Sequence, residues 1–251
     1  MRVVLFLNGP VGAKVARYLS ARRDVEIVGL VIHPKHKRRA GEQILGALKL
    51  PATRVFDGSK LDQSSICKRI AALKPDMGVS VYFLYILRQP LLKLFPRGCV
   101  NLHPAYLPWN RGTYTNVWSI IDRSPAGATL HTIDEGVDTG KILARAKEPI
   151  KPTDTGETLY ARLEQASFRL FKKSWPKLAS GKLKPQPQPR VAKSAHRFCD
   201  VNSIDVIDLN KRYIARELID IIRARTFPPY SGAYFLHKGR KVYLRLSLSY
   251  E

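Results

Sequence analysis

The sequence predicts an α/β protein with a mostly parallel sheet and helices on both of its faces, followed by a small C-terminal α+β region with a β-hairpin. Three observations support this class. Apolar runs of strand length alternate with segments of helical periodicity over most of the chain. A proline-rich stretch at 181–190 then interrupts the alternation. One helical segment and two short strand-like runs come after it.

The chain opens with a βαβ pattern. Arg2–Leu7 is an apolar run without alternation, which is typical of a buried strand. A glycine-bearing turn follows, then a helix with Val15 and Leu19 on one face, and a second strand at 25–32. This order predicts parallel pairing of the two strands. The turn does not complete the Gly-x-Gly-x-x-Gly fingerprint, so a nicotinamide cofactor is not expected.

The remaining elements follow the same alternation. Strands are predicted at 54–56, 77–81, 98–102, 128–133 and 141–146, and helices at about 60–74, around 117–121 and from about 154. Asp154 and Glu157 have the spacing of a capping box at the start of that last helix. Beyond the proline-rich stretch, a helix is predicted at 212–225 and hairpin strands at 233–237 and 242–248. These patterns predict a main domain at 1–180, a linker at 181–190 and a small C-terminal region at 191–251.

The composition is that of a folded protein with a strong positive charge. Hydrophobic residues make up 45% and charged residues 25%, which argues against disorder. The formal charge is +23, from 43 Lys and Arg against 20 Asp and Glu. Residues 101–180 hold 11 basic and 8 acidic residues, so the positive field belongs to their flanks. Such a field suits a phosphate-bearing substrate, a nucleic acid or simply a basic surface.

The sequence also limits location and metal chemistry. No apolar run approaches the roughly 20 residues of a membrane span, and the N-terminal run is too short for a signal peptide, so a cytoplasmic location is expected. The three cysteines are widely spaced and odd in number, which predicts neither a disulfide framework nor a zinc site. His33 and His36 have no third ligand nearby in the sequence, so no metal is expected.

Three side chains could together carry acyl-transfer chemistry. Asn101 and His103 lie two apart at the end of a predicted strand, so both can point to one face. Asp138 lies in an acidic, glycine-bearing loop 35 residues after His103, and the spacing alone does not say whether it comes near. An amide, an imidazole and a carboxylate could orient a nucleophile, move its proton and stabilise an oxyanion. Singly, such residues are more often capping or structural groups.

Two other stretches follow predicted strands at the edge where α/β sheets bind ligands. The basic loop 33–39 could meet phosphate or could be a solvated loop. The aromatic run 82–87 could wall a pocket for a flat ring or could belong to the core.

The Asn101-Leu102-His103-Pro104 motif, with Leu107-Pro108, Arg111-Gly112 and the loop 134–140, closely resembles the folate-dependent formyltransferase family. The resemblance covers about residues 1–180. It implies a Rossmann-like catalytic domain that transfers a formyl group from 10-formyltetrahydrofolate to an amine without a metal. It also implies that Asn101, His103 and Asp138 are the catalytic residues. The residues that it implies around the pterin are Tyr82, Phe83, Leu84, Tyr85, Ile86, Ile133, Asp134, Glu135, Gly136 and Val137.

Within that family, three stretches resemble the sugar N-formyltransferases: the basic stretch that runs into 41–42, the segment 111–118, and the segment 223–230 with the hairpin behind it. The implied acceptor is a nucleotide-linked amino sugar, with a dTDP-amino-dideoxyhexose as the favoured example. A role in lipopolysaccharide or glycan biosynthesis and a homodimer formed through the C-terminal region are also implied. The residues expected around the acceptor are Asn8, Pro104, Tyr106, Arg111, Gly112, Tyr114, Asn116, Arg225, Phe227 and Tyr230.

Three alternatives remain at this point. A methionyl-tRNA formyltransferase would use the charge of +23, although those enzymes carry a longer C-terminal domain than the residues after 190 provide. A formyltetrahydrofolate hydrolase would use the same residues for a different reaction. A basic nucleic-acid-binding protein on a degenerate scaffold is disfavoured because all three candidate catalytic residues are present.

Overall fold

A computed structural model describes residues 1–190 and 195–251 and shows eleven strands and seven helices in that part of the chain. The strands are β1 (Arg2–Leu7), β2 (Glu26–Ile32), β3 (Val55–Asp57), β4 (Met77–Val81), β5 (Cys99–His103), β6 (Arg111–Gly112), β7 (Ala126–Thr132), β8 (Ile142–Glu148), β9 (Ala195–His196), β10 (Tyr234–His237) and β11 (Arg240–Tyr243). The helices are α1 (Gly9–Ser20), α2 (Gly41–Leu48), α3 (Ser64–Ala72), α4 (Thr115–Ile121), α5 (Gly156–Ala179), α6 (Asn202–Asp205) and α7 (Ala215–Arg225).

Seven strands form one mixed sheet in the order β3-β2-β1-β4-β5-β7-β8. The first five are parallel, whereas β7 runs antiparallel to β5. A separate antiparallel hairpin joins β10 and β11 near the C-terminus. The predicted fold class, a mostly parallel α/β sheet with a C-terminal hairpin, is therefore confirmed.

The strand order reverses at β1 and β4, and this reversal is the topological switch point of the sheet. The chain leaves β1 toward β2 and β3 on one side, and β4 leads to β5 on the other. The carboxyl ends of the two central strands are followed by Asn8 and Tyr82, and Asn8 N–H donates to the carbonyl oxygen of Val81 at 3.2 Å. Open α/β sheets bind ligands at such a point, so the residues after β1, β4 and β5 are the first candidates for a site.

The chain divides into two compact units that each use several segments. Unit 1 consists of Met1–His103, Thr129–Arg145 and Ser167–Gln188, and unit 2 consists of Pro104–Ala128, Ala146–Ala166 and Pro189–Glu251. Because both units interleave along the sequence, the boundaries 1–180, 181–190 and 191–251 stay a prediction. The first residues of the predicted C-terminal region, 191–194, lie outside the described residues.

The core of unit 1 forms around its central strand. Val4 and Phe6 of β1 are fully buried, as the apolar run without alternation predicted. They pack in one cluster with Val31 of β2, Ile70 of α3 and Phe95. Full burial of an aliphatic or aromatic side chain stabilises a fold by about 1.5–3 kcal/mol, so these central strands give the switch point a rigid frame.

In unit 2, the structure corrects the predicted start of α5. The helix begins at Gly156, and Thr155 Oγ1 rather than Asp154 accepts the hydrogen bond from Thr158 N–H, at 3.3 Å. The Asp154 carboxylate instead forms an ion pair with Arg162 in the second turn of the helix. The predicted capping box is wrong because Glu157 N–H, its expected donor, binds the carbonyl oxygen of Thr226 at 3.2 Å instead.

Other bounds also differ from the prediction. Helix α2 was not predicted, α7 begins at residue 215 rather than 212, β11 covers Arg240–Tyr243 rather than 242–248, and the ends of several sheet strands differ by one or two residues. None of the described helices combines the length and the hydropathy that crossing a bilayer requires.

Candidate active site

Two of the predicted catalytic side chains, Asn101 and His103, lie at the carboxyl end of strand β5. Antiparallel pairing with β7 sets Asn101 opposite His131 and His103 opposite Thr129. Residues two apart on a strand share a face, and directly opposed residues of an antiparallel pair do as well. The register therefore adds the His131 imidazole to the face that holds Asn101 and His103.

Asp138 completes this group. Its Oδ1 accepts a hydrogen bond from Asn101 Nδ2 at 3.2 Å and lies 3.4 Å from His131 Nε2. Its Oδ2 lies 3.6 Å from His103 Nε2. The side chains of Asp138 and His103 are 12% and 7% exposed, so both groups are largely shielded from water. The structure thus brings together the three predicted catalytic residues and a second histidine.

The hydrogen bonds determine the tautomer of His131 and the orientation of Asn101. His131 Nδ1 lies 2.8 Å from the carbonyl oxygen of Thr132, which can only accept, so Nδ1 carries the proton. In the neutral ring, Nε2 is then an acceptor, and Asn101 Nδ2 donates to it at 3.2 Å. The second proton of the same amide goes to Asp138. Both N–H groups of Asn101 therefore have partners within the group.

Sequence reasoning missed His131. Its strand was predicted, but a single histidine in an otherwise apolar and threonine-containing run gave no reason to select it. The missing information is the antiparallel register of β7 beside β5, which no local pattern contains.

The loop 134–140 holds Asp138 in a defined backbone conformation. At its start, Asp134 Oδ1 accepts hydrogen bonds from Gly136 N–H at 3.2 Å and from Thr139 Oγ1 at 2.5 Å. Asp138 itself has φ of +52°, in the left-handed region that non-glycine residues rarely adopt. Such a conformation persists where its surroundings hold it, which is common at functional sites.

Residues predicted to enclose the pterin from this loop differ in exposure. Ile133 packs against the unit 1 core, and its N–H donates to the carbonyl oxygen of Cys99 at 2.8 Å. Glu135, Gly136 and Val137 are exposed. Val137 offers an apolar surface at the tip of the loop, with 52% of it accessible to solvent.

The 82–87 loop divides into inward and outward side chains. Phe83 packs edge-on against Phe6 and His33, with ring centroids 5.7 and 4.9 Å away. Leu84 and Ile86 point outward and are 74% and 52% exposed. Phe83 therefore belongs to the core, whereas Leu84 and Ile86 form an exposed apolar surface that could pack against a flat ring.

The two tyrosines of this loop are both anchored. Tyr82 has φ of +55°, and its hydroxyl lies 3.2 Å from Ser167 Oγ, where one of the two hydroxyls donates to the other. The Tyr85 ring lies 4.9 Å from that of His33. These contacts hold both ends of the loop segment that carries Leu84.

His33 joins the 82–87 loop to the basic loop 33–39. The side chain is buried, and Leu84 N–H donates to its Nε2 at 3.2 Å. Its backbone carbonyl accepts from Arg38 Nε at 2.9 Å. Asn8 lies next to the ring, with Nδ2 3.3 Å from Nδ1, and its Oδ1 accepts from Arg39 N–H at 2.8 Å. His33 thus ties three segments together at the switch point.

Burial lowers the pKa of His33 from 6.5 to about 4. The nearby charges of Lys37 and Arg38 lower it further, whereas Asp57 and a hydrogen bond with the Lys37 backbone act in the opposite direction. The ring is therefore neutral at pH 7, and only a neutral ring can accept the hydrogen bond from Leu84 N–H through Nε2. The side chains at 35–37 and Arg39 remain exposed and basic.

In unit 2, Tyr114 and Arg225 lie together. Arg225 binds the Asp205 carboxylate through Nε at 2.5 Å and through its terminal nitrogen at 2.9 Å, and its guanidinium carbon lies 5.5 Å from the centre of the Tyr114 ring. Burial raises the pKa of Tyr114. The Phe198 ring, 71% exposed, lies 5.2 Å from that of Tyr114 and was not selected from the sequence. Because Arg225 already has a carboxylate partner, its binding to pyrophosphate stays a prediction.

A second aromatic group of unit 2 contains Phe227 and Tyr230. Their ring centroids are 5.4 Å apart, and the Tyr160 ring lies 5.6 Å from Phe227. Tyr230 is 56% exposed, so it offers a ring face to a ligand. Tyr106 stacks on Trp109 with ring centroids 6.1 Å apart.

The other predicted acceptor residues have structural contacts within unit 2. Asn116 is buried, and its Nδ2 donates to the carbonyl oxygen of Gly156 at 2.8 Å. The carbonyl oxygen of Pro104 accepts from Thr115 Oγ1 at 2.7 Å. The two residues of β6, Arg111 and Gly112, pair with β9. These contacts shape the segment after β5, and a direct role in binding stays a prediction.

The arrangement in unit 1 can carry out acid–base chemistry on an acyl group. Asp138 is an acceptor for a proton, the two imidazoles can donate or accept, and Asn101 supplies N–H donors in a site with little access to water. No group of three or more His, Cys, Asp or Glu side chains in 1–190 and 195–251 is placed to hold a metal ion.

Two regions of the chain match the profiles of known families. The profile of a family described as Formyl transferase matches residues 1–173, and that of an N-formyltransferase dimerization C-terminal domain matches residues 200–250. A methionyl-tRNA formyltransferase from Synechococcus sp. (strain JA-3-3Ab) is 32% identical over 181 residues, which are 68% of this chain and 55% of that protein. A dTDP-4-amino-4,6-dideoxyglucose formyltransferase from Mycobacterium bovis is 32% identical over 154 residues, 61% of this chain and 65% of that protein. The matches thus span less than two thirds of the length of these relatives.

Solved structures share the fold. A 4-N formyltransferase from Francisella tularensis superimposes with a TM-score of 0.85 at 24% identity, over 100% of this chain and 98% of that one. The formyltransferase PseJ from Anoxybacillus kamchatkensis, solved with UDP-4,6-dideoxy-4-formamido-L-AltNAc and tetrahydrofolate, has a TM-score of 0.58 at 28% identity, over 81% of this chain and 89% of that one.

Proposed function

Because the chain belongs to the formyl transferase family, we propose that it transfers a formyl group from 10-formyltetrahydrofolate to the amine of a nucleotide-linked amino sugar. The observation that carries the proposal is the group formed by Asn101, His103, His131 and Asp138. It offers donors for an oxyanion and a carboxylate for the proton of an attacking amine, which is what direct acyl transfer to nitrogen requires.

Two relatives support an amino-sugar acceptor. The protein from M. bovis is named for a dTDP-4-amino-4,6-dideoxyglucose, and PseJ was solved with a UDP-linked formamido sugar and tetrahydrofolate. We therefore favour a dTDP-amino-dideoxyhexose as the acceptor class, which corresponds to a role in lipopolysaccharide or glycan biosynthesis.

Asp138 and His103 would move the proton. The amine must attack the formyl carbon in its uncharged form. The new C–N bond forms first and leaves an oxyanion on the formyl oxygen, and the bond from carbon to the folate nitrogen breaks as that oxyanion collapses. Asp138 accepts the proton that the amine loses, directly or through water, and His103 delivers a proton to the departing nitrogen. The 3.6 Å between His103 Nε2 and Asp138 Oδ2 exceeds hydrogen-bond length, and such catalytic contacts commonly tighten when reactants bind.

Asn101 would stabilise the oxyanion that forms from the formyl oxygen. Its two N–H groups point to Asp138 Oδ1 and His131 Nε2 in this structure. An oxyanion is a stronger acceptor than a neutral imidazole, so it would take over the N–H that His131 accepts. A donor of this kind in a buried site is worth about 10²–10³ in kcat.

The folate would bind beside this group through the 82–86 and 133–137 segments. The exposed apolar side chains Leu84, Ile86 and Val137 fit the flat faces of a pterin. The neutral His33 supports this assignment because it holds the backbone of Leu84 in place.

We also propose a homodimer formed through the C-terminal region. The match to a dimerization domain at 200–250 supports it. The same region exposes an unusual number of large apolar side chains, which are Val206, Leu209, Ile214, Ile219, Leu236, Val242, Tyr243 and Tyr250.

Methionyl-tRNA formylation is the second candidate. The charge of +23 and the match to the Synechococcus protein favour it. One experiment separates the candidates: supply 10-formyltetrahydrofolate with a panel of dTDP- and UDP-linked amino sugars, with methionyl-tRNA, or with no acceptor, and follow tetrahydrofolate release. The proposal expects turnover with at least one sugar. Turnover with methionyl-tRNA alone, or formate release without an acceptor, would overturn it.

A further inference from the structure

The proline-rich segment 181–190 reaches the loop that carries Asp138. Gln186 exchanges two backbone hydrogen bonds with Ile142 at the edge strand β8, at 2.7 and 2.8 Å. Two residues later, Gln188 Nε2 donates to the carbonyl oxygens of Asp138 and Gly140, both at 2.7 Å. This stretch was predicted to be an extended connector, and within unit 1 it is also bonded to the sheet edge and to the 134–140 loop.

The carboxamide of Gln188 matches the two carbonyls in number. A primary amide nitrogen has two protons, and each carbonyl takes one of them. Two short hydrogen bonds from one nitrogen set the distance and angle between the peptide groups that follow Asp138 and Gly140. Gln188 therefore holds the backbone on both sides of Thr139, whose hydroxyl is held by the Asp134 side chain.

The backbone conformation at Asp138 persists only if neighbouring groups restrain it. Asp138 has φ of +52°, which costs a non-glycine residue free energy relative to its ordinary conformations. Gly140 packs so tightly that a Cβ there would overlap the carbonyl oxygen of Thr132. With Gly140 against Thr132 on one side and Gln188 on the other, the loop has little freedom to move the Asp138 carboxylate.

We propose that Gln188 is a positioning residue that sets the Asp138 carboxylate against Asn101, His103 and His131. The inference rests on the proposed function of Asp138. A displacement of about 1 Å can cost about 10²-fold in rate, so losing both donors should lower kcat by about 10–100-fold. Because the Gln188 carboxamide donates to backbone carbonyls of the loop, the KM values of both substrates should change much less than kcat.

A series of variants tests the donor requirement. Gln188→Met keeps the length of the side chain and removes both donors, whereas Gln188→Lys keeps an N–H donor. Gln188→Glu places a carboxylate against two carbonyl oxygens, which repel it. Gln186→Met is the matched control, because Gln186 is exposed on the same segment and uses its backbone groups for the contact with Ile142.

We expect the highest kcat for wild type and Gln186→Met, a lower kcat for Gln188→Lys, and the lowest kcat for Gln188→Met and Gln188→Glu. A second measurement, the NMR titration of the His103 ring, does not depend on turnover. It should shift in Gln188→Met in the same direction as in Asp138→Asn, because both changes remove the carboxylate from His103 Nε2. Urea unfolding of each variant separates lost orientation from lost stability.

Three results would overturn the inference: wild-type kcat and His103 titration in Gln188→Met, no advantage of Lys over Met at position 188, or an equal loss in Gln186→Met. If the wild type transfers no formyl group to any acceptor while the titration shifts as expected, the proposed function fails and the positioning role stands.

Discussion

Replacing His33 with glutamine should remove a specific part of the acid sensitivity of this protein. Burial holds the pKa of His33 at about 4, against 6.5 in its ordinary state. In the unfolded chain the ring regains its ordinary pKa, so between these two values the unfolded state binds more protons than the folded state. The contribution of the neutral His33 ring to the free energy of unfolding is therefore fully present above about pH 6.5. It decreases as the pH falls from about 6.5 to about 4, and it does not decrease further below about pH 4.

The size of the effect follows from the two pKa values. The full shift corresponds to about 3 kcal/mol, and acidification from about pH 7 to about pH 5 removes about 2 kcal/mol of it. His33→Gln keeps an acceptor for Leu84 N–H but cannot titrate in this range. The matched control is His36→Gln, because His36 is exposed in the same basic loop.

Urea unfolding at the two pH values measures the effect. Wild type and His36→Gln should lose about 2 kcal/mol more than His33→Gln on acidification. If all three proteins show the same pH dependence of unfolding, His33 is not held neutral by burial and the reasoning is wrong.

Three further predictions concern the other parts of the structure. Asp138→Asn should lower kcat by about 10²–10⁴-fold with little change in unfolding, whereas Lys141→Gln, an exposed change directly after the same loop, should keep the wild-type kcat in the formyl-transfer assay. Arg225→Lys should lower the free energy of unfolding by about 1–3 kcal/mol because a lysine cannot form the bidentate contact with Asp205, and the exposed Arg240→Lys is the control in urea unfolding. Leu236→Asp with Tyr243→Asp, which lie on one face of the β10–β11 hairpin, should convert a dimer to a monomer in sedimentation velocity, and an unchanged sedimentation coefficient would exclude this face from the dimer interface.

The sheet could be predicted because its strands are marked locally. The run Arg2–Leu7 is apolar throughout since β1 is buried on both faces, and β4 shows the same pattern. The parallel order follows from the helices between the early strands. The antiparallel β7 could not be predicted, because its place beside β5 depends on sheet order rather than on the residues of either strand.

The candidate site was also predicted only where local sequence contains the information. Asn101 and His103 could be selected together because they share a strand end, but the approach of Asp138 and the presence of His131 both depend on the β5–β7 register. The sequence places His33 in a basic loop, but its ring is buried, whereas Lys35 and Lys37 of the same loop are exposed. Gln188 lay in a segment whose composition indicated only a connector.

The most direct test of the account is the product formed from 10-formyltetrahydrofolate and dTDP-4-amino-4,6-dideoxyglucose by wild type and His103→Ala. Mass spectrometry should show the sugar nucleotide with one added formyl group for the wild type, and a rate lower by about 10²–10⁴-fold for the variant. A formylated sugar produced equally fast by His103→Ala, or no formylated sugar from any member of the amino-sugar panel, would contradict the account.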